Sequence, residues 1–176
     1  MNKAYSVLSE PGKTSATRKR PPMGAKTMRA ADLNLGDFVT AYRTDAVERI
    51  RLVRQGIPAS AVEIMAKRMD MPKERLVVTL GLARATVDRK ARENKSLSKD
   101  DSSRLLGMAR LVGQVEAMVE ESGNPTGFNA AEWVARWLEQ PLPALGGQRP
   151  GELMDTPDGQ GLVSGLIARM QSGAYA

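Results

Sequence analysis

The chain has 176 residues, with 26 Lys/Arg, 20 Asp/Glu, no His and no Cys, a formal net charge of +6 and a pI near 9.8. That length allows one or two domains of ordinary size, and the missing Cys and His exclude a disulfide framework and the usual metal ligands and general base, so neither metal nor cofactor is expected. No apolar run is long enough to span a bilayer and the N-terminus lacks the apolar core of a secretory signal, so a cytoplasmic protein without membrane contact is expected.

The charge is unevenly distributed. Residues 1–110 carry 23 Lys/Arg against 12 Asp/Glu, net +11, whereas residues 111–176 carry 3 against 8, net −5. An acidic partner for the first part follows, most simply nucleic acid. Aromatic residues are too scattered for a base-stacking platform, so double-stranded DNA fits better than single strands.

Residues 1–29 mix Pro, Gly, Ser, Thr and Lys with few apolar side chains and read as a flexible basic tail, in which Arg18, Lys19 and Arg20 offer phosphate contacts. Leu33, Leu35, Phe38 and Val39 suggest a short packed segment of undefined type. From Thr44, Val47, Ile50 and Val53 outline an amphipathic helix that Gly56 closes, and Pro58 then suits the first position of a helix with Val62, Met65, Ala66 and Met69 on its apolar face. Pro72 opens the next helix in the same way.

Lys73–Leu80, the turn Gly81-Leu82-Ala83 and Arg84–Glu93 match a helix-turn-helix. Leu76, Val77, Leu80, Leu82 and Val87 are its inner residues. On the second helix Arg84, Thr86, Arg89, Lys90 and Arg92 are the candidate DNA-binding residues, with Ala85 and Asp88 also on the outward face. Lys90 and Ala83 depart from the usual pattern, an apolar residue and a polar cap being more common there. A structural helix pair with a basic exterior is the competing reading.

Ser98-Lys99-Asp100-Asp101 resembles a capping box with Asp in place of Glu. It predicts a long helix whose stripe (Leu105, Met108, Val112, Val115, Val119) forms core and is broad enough to serve a homodimer interface as well. Glu120, Glu121 and Gly123 mark its end. Asn129 and Glu132 then make a capping box before Trp133, Val134, Trp137 and Leu138, and Pro141 stops that helix. Pro150 begins a short turn of helix, and Thr156-Pro157-Asp158 begins a last helix with Leu162, Val163, Leu166, Ile167 and Met170 buried and Gly173 as its stop. No catalytic pair, metal cluster or phosphate-cradling loop is present, so an enzyme is not expected.

The order F-N-A-A-x-W-V-x-x-W-L from Phe128, P-A-L-G-G-x-x-P-x-E-L-M-D-T-P-x-G from Pro143 and the final G-A-Y-A resembles the C-terminal toxin-binding domain of Xre/ParS-type antitoxins, and residues 44–119 are similar to their Xre-like helix-turn-helix domain. The resemblance covers residues 44–176 and implies an all-α protein with a helix-turn-helix and dimerisation domain (44–121) and a toxin-binding domain (122–176), while residues 1–43 carry no family pattern and are read from composition as a flexible basic tail and connector. It further implies an antitoxin that neutralises a RES-type, NAD-degrading toxin by blocking its active site, and that represses its own operon as a homodimer on operator DNA. The matching toxin-binding positions are Leu145, Gly146, Gly147, Pro150, Gly159, Gly173, Ala174, Tyr175 and Ala176, with Tyr175 as an aromatic plug and Glu152, Asp155 and Asp158 as acidic candidates. A helix-turn-helix regulator whose C-terminal domain serves dimerisation or another partner remains the alternative, as does an antitoxin that acts without binding DNA.

Overall fold

The computed structural model describes residues 37–123 and 125–171. The tail, Leu33, Leu35 and residues 173–176 with Tyr175 lie outside them. The described residues are helices and turns, with an isolated antiparallel bridge between Pro58 and Ser96.

The helices are α1 (Phe38–Arg43), α2 (Ala46–Gln55), α3 (Ala61–Arg68), α4 (Lys73–Thr79), α5 (Arg84–Arg92), α6 (Lys99–Glu121), α7 (Ala130–Trp137) and α8 (Pro157–Gln171), with 3-10 turns at Pro143–Leu145 and Pro150–Leu153. The all-α expectation is met. Ser98 Oγ accepts from the Asp101 amide at 3.1 Å and starts α6 as the capping pattern predicts. The shorter Asp101 turns its carboxylate to Arg104 at 2.7 Å.

The longest helix, α6, is the axis of the molecule, with α1, α2, α7 and α8 packed around it. Leu105, Met108, Val112 and Val115 are buried, and so are Leu106, Ala109, Leu111 and Ala117 on its other sides. Most of the stripe is thus buried within the chain, with Val119 near its end only partly covered. One contiguous core runs from Phe38 to Ile167 and joins the basic part to the acidic part.

Several sequence-based expectations change. Phe38 is buried and α1, assigned to the connector, crosses α6 at Gly113, where a Cβ would come within 1.9 Å of the Phe38 carbonyl oxygen. In α2 the buried residue is Leu52, while Val47 is 77% and Ile50 52% exposed. Pro58 does not open α3. Its segment is held to the start of α6 by Leu97 N donating to Ile57 O (2.8 Å), Ala59 N to Lys95 O (3.1 Å) and Ile57 N to the buried Ser102 Oγ (2.9 Å), so helix begins at Ala61. Pro72 is the N-cap of α4 rather than its first residue. Leu162 and Met170, expected to be buried, are exposed, and Val163, Leu166 and Ile167 carry the packing of α8.

Helices α3, α4 and α5 end alike. After each C-cap a residue takes positive φ, and paired 6→1 and 5→2 hydrogen bonds close the turn. The residues are Asp70 (φ 49°), Gly81 (φ 59°) and Asn94 (φ 52°). At the middle one Leu82 N donates to Val77 O at 2.8 Å and Gly81 N to Val78 O at 2.9 Å, with Leu82 and Val77 both buried. Asp and Asn tolerate this conformation through local hydrogen bonding. At Gly81 a Cβ would also stand 3.0 Å from Asp155 Cβ and 3.1 Å from Arg104 Nη1, so glycine is needed for space as well as for φ.

Gly81→Ala should therefore lower unfolding stability by about 1 to 2 kcal/mol from backbone strain, and by more if Asp155 is displaced, as read from the urea midpoint at constant m. Arg104→Ala removes donors to Leu80 O (3.0 Å) and Gly81 O (2.7 Å) from a side chain only 20% exposed. A loss of about 1 to 2 kcal/mol is expected in the same measurement.

Candidate functional site: a helix-turn-helix face and a glycine-rich loop

Helices α4 and α5 form the expected pair, with Leu76, Val77, Leu80, Leu82 and Val87 all buried between them and the core. Val87 is the one buried residue of α5, so nearly the whole helix surface faces outward or lies at the rim. Ala83 precedes α5 without a side-chain cap, which leaves its first-turn amides free of side-chain acceptors.

The cations of α5 are exposed but latched. Arg84 Nη2 meets Glu74 Oε1 at 2.9 Å and its Nε lies 3.7 Å from Asp88 Oδ2, and the Arg84 side chain is 63% exposed. Arg89 reaches Glu93 at 3.4 Å, a carboxylate also held by Lys95 at 2.8 Å, and Arg92 Nε donates to the Asp88 carbonyl. Thr86 and Lys90 are half-buried. Such exposed pairs are worth little and exchange readily for a phosphate.

Asp88, placed on the outward face by the sequence pattern, is turned back to Lys73 at the start of α4. The Lys73 hydrogen bond is the main cause of a carboxyl pKa below the ordinary aspartate value, with the charges of Arg84 and Arg92 adding to it. Asp88 therefore fixes α5 against α4. Arg104 does the same from α6, through Leu80 O, Gly81 O and Asp101. The sequence reading missed Arg104, although the Asp101 and Arg104 spacing of three on a helix was a usable signal.

The second surface is built on α7. Asn129 Oδ1 accepts from Ala131 N (3.1 Å) and Glu132 N (3.2 Å), and its Nδ2 donates to Glu132 Oε1 (2.6 Å), which is the predicted cap. Trp133 stacks on Trp137 with centroids 5.8 Å apart, and Val134, Trp137 and Leu138 are buried. The chain then folds into a loop closed by Leu142 N to Gln148 O (3.1 Å) and Gly147 N to Leu142 O (3.0 Å).

The predicted toxin-binding positions separate into two groups. Gly146 and Gly147 are exposed, at positive φ, and a Cβ on either would meet nothing within 4 Å. They are a free surface. Leu145 is partly buried against the core and Pro150 is fully buried. At Gly159 a Cβ would stand 1.9 Å from the Leu153 carbonyl oxygen, so that residue permits the close approach of α8 to the preceding turn, where Thr156 Oγ1 also accepts from the Gly159 amide at 3.1 Å. Glu152, Asp155 and Asp158 are exposed. The remaining positions, Gly173, Ala174, Tyr175 and Ala176, fall outside the described residues.

The two surfaces share one body. Asp155 abuts Gly81 of the helix-turn-helix turn, Gln160 Nε2 donates to Arg104 O at 3.0 Å and to Met154 O at 2.9 Å, and Glu139 lies between Arg75 of α4 (3.8 Å) and Arg149 of the loop (3.7 Å). Among the described residues no group of His, Cys, Asp or Glu has the arrangement of a metal site, and no helix is long and apolar enough to cross a membrane.

Comparison with known proteins agrees with both surfaces. Residues 48–110 match the antitoxin Xre-like helix-turn-helix domain, and residues 123–173 match the antitoxin Xre/MbcA/ParS C-terminal toxin-binding domain. The chain is 47% identical over 139 residues to the Prs ADP-ribosylating antitoxin of Sphingobium sp. (strain YBL2), covering 79% of this chain and 87% of that relative. It is 22% identical over 124 residues to Antitoxin Xre of Yersinia enterocolitica serotype O:8 / biotype 1B, covering 70% of this chain and 78% of that relative. The chain belongs to the Xre/MbcA/ParS antitoxins, and it is the non-enzymatic antitoxin of a toxin-antitoxin system, with a helix-turn-helix domain and a C-terminal domain that binds the cognate toxin.

Proposed function

We propose that the antitoxin neutralises an NAD-consuming toxin of the RES type by covering its active site, and that it represses its own operon through the α4–α5 helix-turn-helix. The observation that carries the toxin half is the exposed Gly146-Gly147 loop, bare of side chains, in a domain matched as toxin-binding that also exposes Glu152, Asp155 and Asp158. Carboxylates there suit the basic mouth of a cleft that binds a dinucleotide phosphate. Residues 174–176 follow the matched domain, and Tyr175 is proposed to enter the cleft.

The name of the Sphingobium relative links it to ADP-ribosylation. It favours a second form of the same reading, in which the toxin transfers ADP-ribose from NAD to a protein instead of to water. Both reactions break the bond between nicotinamide and ribose. Nicotinamide release with and without an acceptor protein separates them, and the antitoxin should suppress either.

For DNA, the exposed Arg84 and Arg89 are proposed as the principal contacts, with Thr86 and Arg92 beside them and Lys90 reaching a phosphate. Homodimers on a palindromic site follow from the helix-turn-helix mode rather than from any free face of α6.

Two outcomes are expected. Arg84→Glu with Arg89→Glu should weaken binding to upstream DNA by at least about tenfold in a gel shift, on the scale of 1 to 3 kcal/mol per contact, while toxin neutralisation persists. Deletion of residues 174–176 should leave the fold and toxin association measurable but relieve inhibition of nicotinamide release. Full inhibition by the truncated chain would exclude Tyr175 as the plug.

A further inference from the structure

An open groove of about 570 Å³ runs between α2, α6 and α8. No part of it comes from α4 or α5, and none of its lining residues was among the candidate site residues. Its charged lining consists of Arg49, Arg54, Lys99 and Arg110, with no Asp or Glu. Its walls are otherwise largely apolar, with Ile50 and Leu106 among them, and Ile50 is 52% exposed although it is a large aliphatic residue.

Arg110 is the anomaly. Among the described residues its Nε is buried and has no hydrogen-bond partner, although buried guanidinium nitrogens are nearly always satisfied. Burial, and then the like charge of Arg49, lower its pKa. Arg49, which donates to the Thr44 carbonyl, is itself a donor-only cation and offers Arg110 no acceptor. A desolvated, unpaired cation facing a second cation is costly in the free protein and is relieved by an arriving anion.

We propose that this groove receives a segment of the cognate toxin in which a carboxylate side chain is flanked by apolar ones. The carboxylate meets Arg110 and Arg49, and the apolar neighbours cover Ile50 and Leu106. The inference rests on the toxin-binding reading, and it extends the contact beyond the C-terminal domain to α2 and α6. Pro157, Gln160 and Ser164 of α8, which line one wall, lie inside the matched toxin-binding domain, so the groove is continuous with that surface.

Other occupants suit it less. Two copies meeting groove to groove would oppose four cations with four. The N-terminal residues 1–36 carry 7 Lys/Arg against 2 Asp/Glu and share the groove's sign. A duplex backbone would leave the exposed Ile50 and Val47 without apolar cover.

The test is calorimetric titration of full-length antitoxin variants with the purified cognate toxin. Arg110→Met keeps the apolar stem and removes the charge, and the rim pair Arg54→Glu with Lys99→Glu reverses charge without entering the core. Both are expected to weaken toxin binding by at least about tenfold, while Arg110→Met leaves the thermal midpoint of the free antitoxin unchanged or raises it. Should Arg110→Met not fold, the rim pair decides alone. Binding of both variants within about twofold of wild type, or loss of upstream DNA binding with toxin binding kept, would overturn the groove assignment. Failure of the wild-type chain to bind the toxin would refute the toxin reading itself, and that result is separate from failure of the variants.

Discussion

Everything in this antitoxin depends on the burial of α6. A helix covered by α1, α2, α7 and α8 cannot be moved without disturbing both functional surfaces, because it carries the Arg104 clamp on the helix-turn-helix turn and the Gln114 pairing with Ser164 (2.6 Å) that docks α8. Its burial is also why the chain is one body rather than two tethered domains. The apolar residues that pattern as a stripe face several neighbours at once, and Gly113 lets α1 close the remaining side.

The helix-turn-helix and the C-terminal module meet where Gly81 abuts Asp155 and Arg104 and where Glu139 lies between Arg75 and Arg149. Three successive helices end in the same left-handed turn, and at the middle one the residue is a glycine whose added Cβ would crowd Asp155 and Arg104. That contact gives the two surfaces a fixed relative geometry. It also explains why a cation on α6 and an acid after the second 3-10 turn belong to the description of a DNA-binding motif.

Charge is handled differently at each surface. On α5 the arginines are latched to Glu74, Asp88 and Glu93 by exposed pairs that a phosphate can replace. In the C-terminal module Glu152, Asp155 and Asp158 lie exposed, and Gly146 and Gly147 leave their backbone bare. In the groove between α2, α6 and α8, four cations have no acid among them and one guanidinium nitrogen is unsatisfied. A net basic chain thus presents anion-seeking chemistry on two faces and cation-seeking chemistry on a third.

Much of this was legible in the sequence. Caps at Ser98, Asn129 and Thr156, the Gly81 turn and the inner residues of the helix-turn-helix are local signals, since each depends on residues within one or two turns. The family signature from Phe128 onward is likewise a matter of fixed spacing. Tertiary structure alone decided what long-range packing decides: that Phe38 sits on α6 at Gly113, that Val47, Ile50 and Leu162 stay exposed, and that Gly159 serves packing while Gly146 and Gly147 form surface. Periodicity records which side of a helix is apolar. It does not record how many neighbours that side will meet, and the groove around Arg110, assembled from helices more than thirty residues apart, has no trace in any local pattern.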